Sequence, residues 1–278
     1  MLYSEIFRSI QGEGVYTGVP TVWLRLFGCN LECNGFGQKD PTDPSTYILP
    51  YQEIDLTDIT VPEELPVFPY GCDSSYSWSK KFSKLQRRGE ADEVAKKLFD
   101  LMYDNRTHIA FTGGEPLMKA AQKNVSNILV EMDKLHDAPI TNITFETNGT
   151  RELHNVLHNE LTWRDTEVFF SVSPKIFSTS GEKDRICPDV VKQYYDLSSA
   201  GQLKFVCNGT EQSWDEIEDA IASFRHSGVM YPIWIMPVGA TEESQDEIAA
   251  KIAEQTMDRG YNVSARVHCY IFGNQIGT

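Results

Sequence analysis

The sequence predicts an α/β fold built from parallel β/α units. Two observations carry the prediction. Short apolar runs rich in β-branched and aromatic residues recur along the chain, and stretches with helical periodicity separate them. A third observation bears on where a site would lie. Several runs end at Gly, Asn, Ser or Pro beside residues able to do chemistry, and β/α barrels place their sites at those carboxyl ends.

The first strand is read over 21–26, in Thr-Val-Trp-Leu-Arg-Leu, and ends at Gly28. A helix follows over 91–103, where Val94, Leu98 and Leu101 share a face. Residues 108–111 form a strand ending at Thr112-Gly113-Gly114, and 124–135 form a helix. Strands over 142–147 and 168–172 end at Asn148-Gly149 and at Ser173-Pro174-Lys175. Residues 203–207 form a strand, 214–226 a helix with Asp215 and Glu216 in its first turn, and 233–237 a strand. A helix over 243–259 closes at Gly260, and 262–271 is the last strand. Residues 34–71 interrupt the order. They carry Pro41, Pro44, Pro50, Pro62, Pro66 and Pro69 and read as an insertion, with short extended pieces where 54–59 alternate.

A chain of 278 residues with 41% hydrophobic and 11% aromatic residues can bury a full core. It reads as one domain, 1–278, carrying the insertion. No stretch approaches the roughly 20 apolar residues of a membrane span, and the first residues lack a secretory pattern, so a cytoplasmic protein is expected. A net charge of −15 repels phosphate backbones, which disfavours nucleic acid and favours a small molecule. The densest basic cluster, Lys80, Lys81, Lys84, Arg87 and Arg88, reads as a solvated helix face.

Six cysteines are expected to remain reduced. Cys187, Cys207 and Cys269 are isolated and read as ordinary thiols. Cys29 and Cys33 stand in Cys-x3-Cys spacing directly after a strand, and Cys72 follows the insertion. Three thiolates can hold three irons of a four-iron cluster and leave the fourth open to a ligand. Zinc is the alternative, but a structural zinc site wants four ligands and no fourth has an obvious owner. The turn Gly113-Gly114-Glu115-Pro116 tips the balance toward a cluster. Two glycines admit close approach of backbone, and a carbonyl or carboxylate there could accept bonds from an ammonium group.

The cysteine trio and Gly-Gly-Glu-Pro together resemble the radical S-adenosylmethionine superfamily. Glu5-Ile6-Phe7-Arg8-Ser9-Ile10-Gln11-Gly12-Glu13-Gly14, Tyr16-Thr17-Gly18-Val19-Pro20, Arg25-Leu26-Phe27-Gly28-Cys29, Cys72-Asp73-Ser74 and Arg266-Val267-His268 narrow the likeness. They resemble the 7-carboxy-7-deazaguanine synthase (QueE) family along nearly the whole chain, with gaps at the insertion and near 150–165. The resemblance implies an incomplete TIM-type β/α barrel of the radical S-adenosylmethionine type. It also implies conversion of 6-carboxy-5,6,7,8-tetrahydropterin to 7-carboxy-7-deazaguanine with loss of ammonia. The implied cofactors are a 4Fe-4S cluster, S-adenosylmethionine as the radical source, and Mg²⁺.

By the same resemblance Cys29, Cys33 and Cys72 ligate the cluster, and the hard chemistry belongs to the cofactor. Gly71, Cys72, Asp73, Gly114, Ser173, Pro174 and Lys175 match cosubstrate-binding positions. Arg25 matches the arginine that pairs with the substrate carboxylate, a partner suited to a guanidinium fork. Ile10, Gln11, Gly12, Thr112, His268 (reaching in from the last strand) and Thr278 match substrate contacts. Ser74 stands where the family commonly has Thr as the Mg²⁺ ligand, and either hydroxyl is a hard donor, with Ser75 as a substitute. The long gap between the second and third cysteine also departs from the family, although loop closure costs grow slowly with length. A homodimer and an electron donor such as a flavodoxin or ferredoxin are implied partners. Two other readings stand beside this one: another radical enzyme, such as a glycyl-radical activating enzyme, and a non-catalytic zinc-binding protein. The insertion is left with three possible roles, as a lid, a dimer contact or a donor-docking surface.

Overall fold

The computed structural model describes residues 1–135 and 140–278. Its strands are β1 (Leu2–Ile10), β2 (Pro20–Leu26), β3 (Arg87–Arg88), β4 (His108–Gly113), β5 (Asn142–Thr147), β6 (Glu167–Val172), β7 (Gly201–Cys207), β8 (Ile233–Pro237) and β9 (Asn262–Val263). Its helices are α1 (Pro50–Glu53), α2 (Ala91–Leu101), α3 (Lys119–Asp133), α4 (Asn155–Thr162) and α5 (Phe177–Ser180). They continue with α6 (Pro188–Leu197), α7 (Glu211–His226), α8 (Glu242–Asp246), α9 (Ala249–Asp258) and α10 (Val267–Phe272).

The strands form one sheet in the order β3-β1-β2-β4-β5-β6-β7-β8-β9. From β2 to β9 every pairing is parallel, while β1 and β3 add antiparallel strands at one edge. The sheet is open, the architecture of a partial barrel. The expected α/β class and incomplete barrel are present.

The two-residue pleat assigns the faces. Val22, Leu24 and Leu26 of β2, Ile109 and Phe111 of β4, Ile143 and Phe145 of β5, and Leu203 and Phe205 of β7 enter the main core. There they meet Val94 and Leu98 of α2, Ile128 and Met132 of α3, Leu157 of α4, and Ile217 and Phe224 of α7. Phe111, Phe145, Phe170 and Tyr194 stack in a row, with ring centroids 5.4, 5.6 and 4.9 Å apart. The alternate residues, among them Trp23, Arg25, Thr112, Glu146, Lys204 and Met236, face a cavity on the other side.

The loop between β1 and β2 crosses this inner face. Gln11 Nε2 donates to Glu146 Oε1 of β5 at 2.8 Å, Glu13 pairs with Lys204 of β7, and Val15 N donates to Gln202 Oε1 at 3.1 Å. Val267 N donates to Gly12 O at 2.9 Å, which ties the loop to the segment after β9.

Several boundaries differ from the sequence expectation. The last strand does not run over 262–271. It stops at Val263, and Val267–Phe272 is the helix α10, because the chain turns inward to meet Gly12. His268 therefore reaches in from a helical turn, not from a strand. The helix expected over 243–259 is broken into α8 and α9. Gln245 is buried and donates to Pro237 O and Gly239 O at 3.3 and 2.7 Å, which fixes α8 against the end of β8. Helices α3 and α7 start earlier than expected, at Lys119 and at Glu211. The latter follows Thr210, whose Oγ1 caps the helix by accepting from Ser213 N at 3.2 Å. Strand β1 and helices α4 and α6 are additional.

The insertion holds no strand. Residues 54–59 alternate because Ile54, Leu56 and Ile59 pack on a second apolar cluster, not because they pair in a sheet. That cluster joins Tyr51, Leu65 and Phe68 to Tyr76, Phe82 and Leu85. Of the basic cluster, Lys80, Lys84 and Arg88 are exposed, Lys81 donates to Gln52 O, and Arg87 pairs with Glu63. No helix among the described residues is long and apolar enough to cross a membrane.

Phe145 sits at 0% exposure in the ring row. Replacing it with Ala should cost about 3–5 kcal/mol through lost transfer energy and a residual cavity. Chemical denaturation of the variant measures this, and a loss below about 1 kcal/mol would mean that the row is not a rigid part of the core.

Candidate active site

At the carboxyl ends of β2, β4, β5, β6 and β8 lies a cavity of about 290 Å³. Its wall includes Cys29, Cys33 and Cys72. Contact between β2 and β4 sets the first cysteine loop. Gly28 N donates to Ser77 O, and Glu115 N donates to Gly28 O, both at 2.8 Å. The glycine pair allows this. A Cβ on Gly114 would stand 2.1 Å from Gly28 O and 2.9 Å from Cys29 N. The close approach that two glycines suggested is therefore made first by the cysteine loop's own backbone.

Glu115 is not part of the cavity wall. It is 1% exposed and accepts from Leu117 N at 2.9 Å, Thr147 Oγ1 at 2.7 Å and Asn148 N at 2.8 Å. It joins the end of β4 to the end of β5. Burial raises its pKa, and the three donors oppose that rise.

The insertion leaves and returns at one point. Gly71 N donates to Phe36 O at 2.8 Å, so Cys72 comes back beside Cys33. Cys33 adopts a left-handed φ of 51°, and its N–H donates to Glu182 Oε1 at 2.8 Å. Leu31 N lies 3.4 Å and Asn148 Nδ2 3.9 Å from Cys29 Sγ, and Ser74 Oγ lies 3.6 Å from Cys72 Sγ. Burial raises the pKa of all three thiols, that of Cys29 to about 12. Burial thus favours the neutral thiols, and a metal that they ligate would take them as thiolates and displace the protons. Among the described residues no group of three or more His, Cys, Asp or Glu side chains stands close enough together to hold a single metal ion. Three soft sulfur donors on one cavity wall are ligand types that suit an iron–sulfur cluster or zinc. All six cysteines are free, and Cys187, Cys207 and Cys269 lie outside the cavity wall.

The cavity wall also carries a network of buried and half-buried charges. Glu13 pairs with Lys204 and, at 2.9 Å, with Arg266. Lys204 reaches Glu146 at 3.2 Å, and Arg266 reaches Asp73 at 2.5 Å and Gly239 O at 2.7 Å. Burial opposes each charge, and the partners win. The Glu13 carboxyl is held well below its usual range, and Lys204 and Arg266 are held above theirs. His268 behaves otherwise. Burial, and then the Arg266 charge, lower its pKa to about 4, so the ring is neutral at pH 7. It packs against Gly12, where a Cβ would stand 1.8 Å from His268 Nδ1, so a larger residue there would have to displace the ring.

Arg25 Nε donates to Glu5 Oε1 at 2.6 Å. Lys175 Nζ donates to Ser173 Oγ at 2.8 Å and lies 5.6 Å from the Phe36 ring centroid. Ile10, Gln11, Gly12, Thr112, Thr278, Gly71, Asp73, Ser74 and Gly114 also line the cavity. Pro174 does not, although its neighbours do, and Ser75 is fully buried behind the wall with its hydroxyl unpartnered. Sequence reasoning assigned no role to Glu13, Glu146, Lys204 or Arg266. The signal was available for two of them. Lys204 and Glu146 are lone charges in apolar strands, as is Arg25.

A pH dependence follows from His268. Its folded-state pKa of about 4 lies below the ordinary 6.5, so the unfolded chain takes up that proton first. Stability should therefore fall as pH drops from 6.5 toward 4. Urea midpoints at pH 6.5 and pH 5 should differ less in His268→Gln than in the parent, and equal differences would contradict the burial of a neutral ring.

No protein-family model matches the chain. Among curated relatives, the 7-carboxy-7-deazaguanine synthase of Hyperthermus butylicus is 28% identical over 275 residues, covering 96% of this chain and 91% of that one. The synthase of Thermoplasma acidophilum is 26% identical over 288 residues and 100% of both chains, and that of Rhodopirellula baltica 25% over 282 residues, 100% of this chain and 89% of that one. The crystal structure of QueE from Escherichia coli superposes with a TM-score of 0.53 at 20% identity, covering 96% of this chain and 95% of that one. With the fold shared and the likeness running end to end, the chain is a homologue of the 7-carboxy-7-deazaguanine synthases.

Proposed function

We propose that this protein is a 7-carboxy-7-deazaguanine synthase, which converts 6-carboxy-5,6,7,8-tetrahydropterin to 7-carboxy-7-deazaguanine and ammonia. One observation supports the reading above others: a single cavity is lined at once by the cysteine trio, the glycine pair, Arg25 and His268. The zinc-protein and glycyl-radical readings have no comparable support, since relatives along the full length are named as synthases.

Cys29, Cys33 and Cys72 would hold the 4Fe-4S cluster. Gly71, Asp73, Gly114, Ser173, Pro174 and Lys175 would hold S-adenosylmethionine, with Pro174 acting by shaping the turn between two wall residues. Cluster and cosubstrate, when bound, supply the 5′-deoxyadenosyl radical. The protein's own task is to bind and orient. Arg25 pairs with the substrate carboxylate. Ile10, Gln11 and Gly12 offer backbone groups to the pterin edge, and Thr112 and Thr278 add contacts. A neutral His268 can donate or accept a hydrogen bond at pH 7 without adding charge. Ser74, at the wall, is the better placed of the two serines for Mg²⁺. A cytoplasmic homodimer served by a flavodoxin or ferredoxin completes the reading.

The test is an anaerobic assay of the iron-loaded enzyme with the carboxytetrahydropterin, S-adenosylmethionine, Mg²⁺ and a chemical reductant, with product read by mass. A brown protein with about four irons per chain and formation of the deazaguanine are expected. A colourless zinc protein would remove the enzyme reading. Arg25→Ala should lower pterin turnover at least about tenfold, the effect of losing a charge-assisted pair. Cleavage of S-adenosylmethionine without pterin should fall far less, and an equal fall in both would mean that Arg25 serves the cosubstrate.

A further inference from the structure

We propose that Glu5 and Tyr76 form a clamp that fixes how Arg25 presents its guanidinium to a ligand carboxylate. The inference rests on Arg25 being the carboxylate anchor and deepens that reading. Glu5 of β1 stands directly opposite Arg25 of β2 in the antiparallel register. Its Oε1 accepts from Arg25 Nε and from the Tyr76 hydroxyl, each at 2.6 Å. The guanidinium carbon lies 6.0 Å from the Phe7 ring centroid and 5.7 Å from that of Tyr76. Hydrogen bonding at one edge and aromatic rings nearby leave the group few orientations.

Two of the cavity's other cations are spent on carboxylates, while Lys175 donates to Ser173 Oγ. Arg266 serves two carboxylates and a carbonyl, and Lys204 serves two carboxylates. Among the described residues only Nε of Arg25 is engaged, so its two terminal amino groups remain for a ligand. A carboxylate can dock on a guanidinium side-on, through Nε and one amino group, or end-on, through both amino groups. Glu5 occupies the side and leaves the end.

Glu5 is at 0% exposure and is not part of the cavity wall, so it acts through Arg25 and is a positioning residue. Its Oε2 is buried with no hydrogen-bond partner. A carboxylate placed for stability alone would have both oxygens satisfied. The pair also has a cost for affinity, because Glu5 offsets part of the arginine's charge. Orientation outweighs that cost. Without Glu5, the carboxylate left within electrostatic reach of Arg25 is Asp73, and the guanidinium would turn toward it and away from the ligand.

The test compares two ligands on iron-loaded enzyme with S-adenosylmethionine, by anaerobic titration calorimetry. One is 6-carboxy-5,6,7,8-tetrahydropterin and the other is the tetrahydropterin without the 6-carboxylate. The parent should prefer the first at least about tenfold. Glu5→Gln should cut that preference about tenfold with affinity for the carboxylate-free ligand unchanged, and Tyr76→Phe, which also alters the cavity wall, should cut the preference about threefold. In an Arg25→Ala background, Glu5→Gln should have no further effect on the preference. An unchanged or larger preference in Glu5→Gln overturns the clamp, as does equal weakening toward both ligands. If Glu5→Gln fails to fold, Tyr76→Phe decides alone. A parent without any preference sinks the anchor reading first, and the clamp with it.

Discussion

The position of Glu13 governs the cavity. Its half-buried carboxylate lies between Lys204 of β7 and Arg266 of the C-terminal segment. A buried ion costs several kcal/mol in lost hydration, and removing one partner of such a pair is far more damaging than never having built it. Here the network closes on itself. Glu146 shares Lys204, Asp73 shares Arg266, and Gln11 bonds Glu146. Through these contacts the loop after β1 lies across the inner face of an open sheet and the chain's end is drawn onto the segment that carries Cys72. The sheet supplies one wall, and the charges hold the others in place.

That arrangement divides the cations into two kinds. Arg266 and Lys204 are neutralised by the protein and keep the walls together. Arg25 and Lys175 retain donors that the protein does not use, and they line the same cavity as the cysteines. An anionic ligand would find its partners among the second kind. The first kind contributes by making the cavity rigid, which lowers the ordering cost of binding. The neutral His268 fits this picture, because a second buried cation beside Arg266 would have no acid left to pair with.

The insertion extends the site without adding to the sheet. It departs after Phe36, builds an apolar cluster on Tyr51, Leu65 and Phe68, and returns at Gly71. Phe36, Gly37, Val67 and Pro69 line the cavity, and Ile276 from the C-terminal segment packs on the same cluster. Residues of the insertion thus form part of the cavity wall.

Much of this was legible in the residues. Strand positions followed from short β-branched and aromatic runs, and the location of the site followed from unusual residues at strand ends. Both are local signals. Arg25 announced itself as a lone charge between Trp23, Leu24 and Leu26, and Lys204 carried the same signal unread. The helix α10 was not legible, because its apolar run suits a strand as well and only contact with Gly12 chooses. The break between α8 and α9 depends on Gln245 reaching the end of β8. Glu115 looked available to a ligand until Thr147 and Asn148 were seen to occupy it.

By itself, then, the chain determined its β/α order, its acidic charge, its reduced cysteines and the ends at which chemistry gathers, since each depends on neighbours in sequence. Only the tertiary structure decided which charges are spent and which are free. That outcome depends on partners such as Glu13 and Arg266, brought together from opposite ends of the chain where Val267 N bonds Gly12 O.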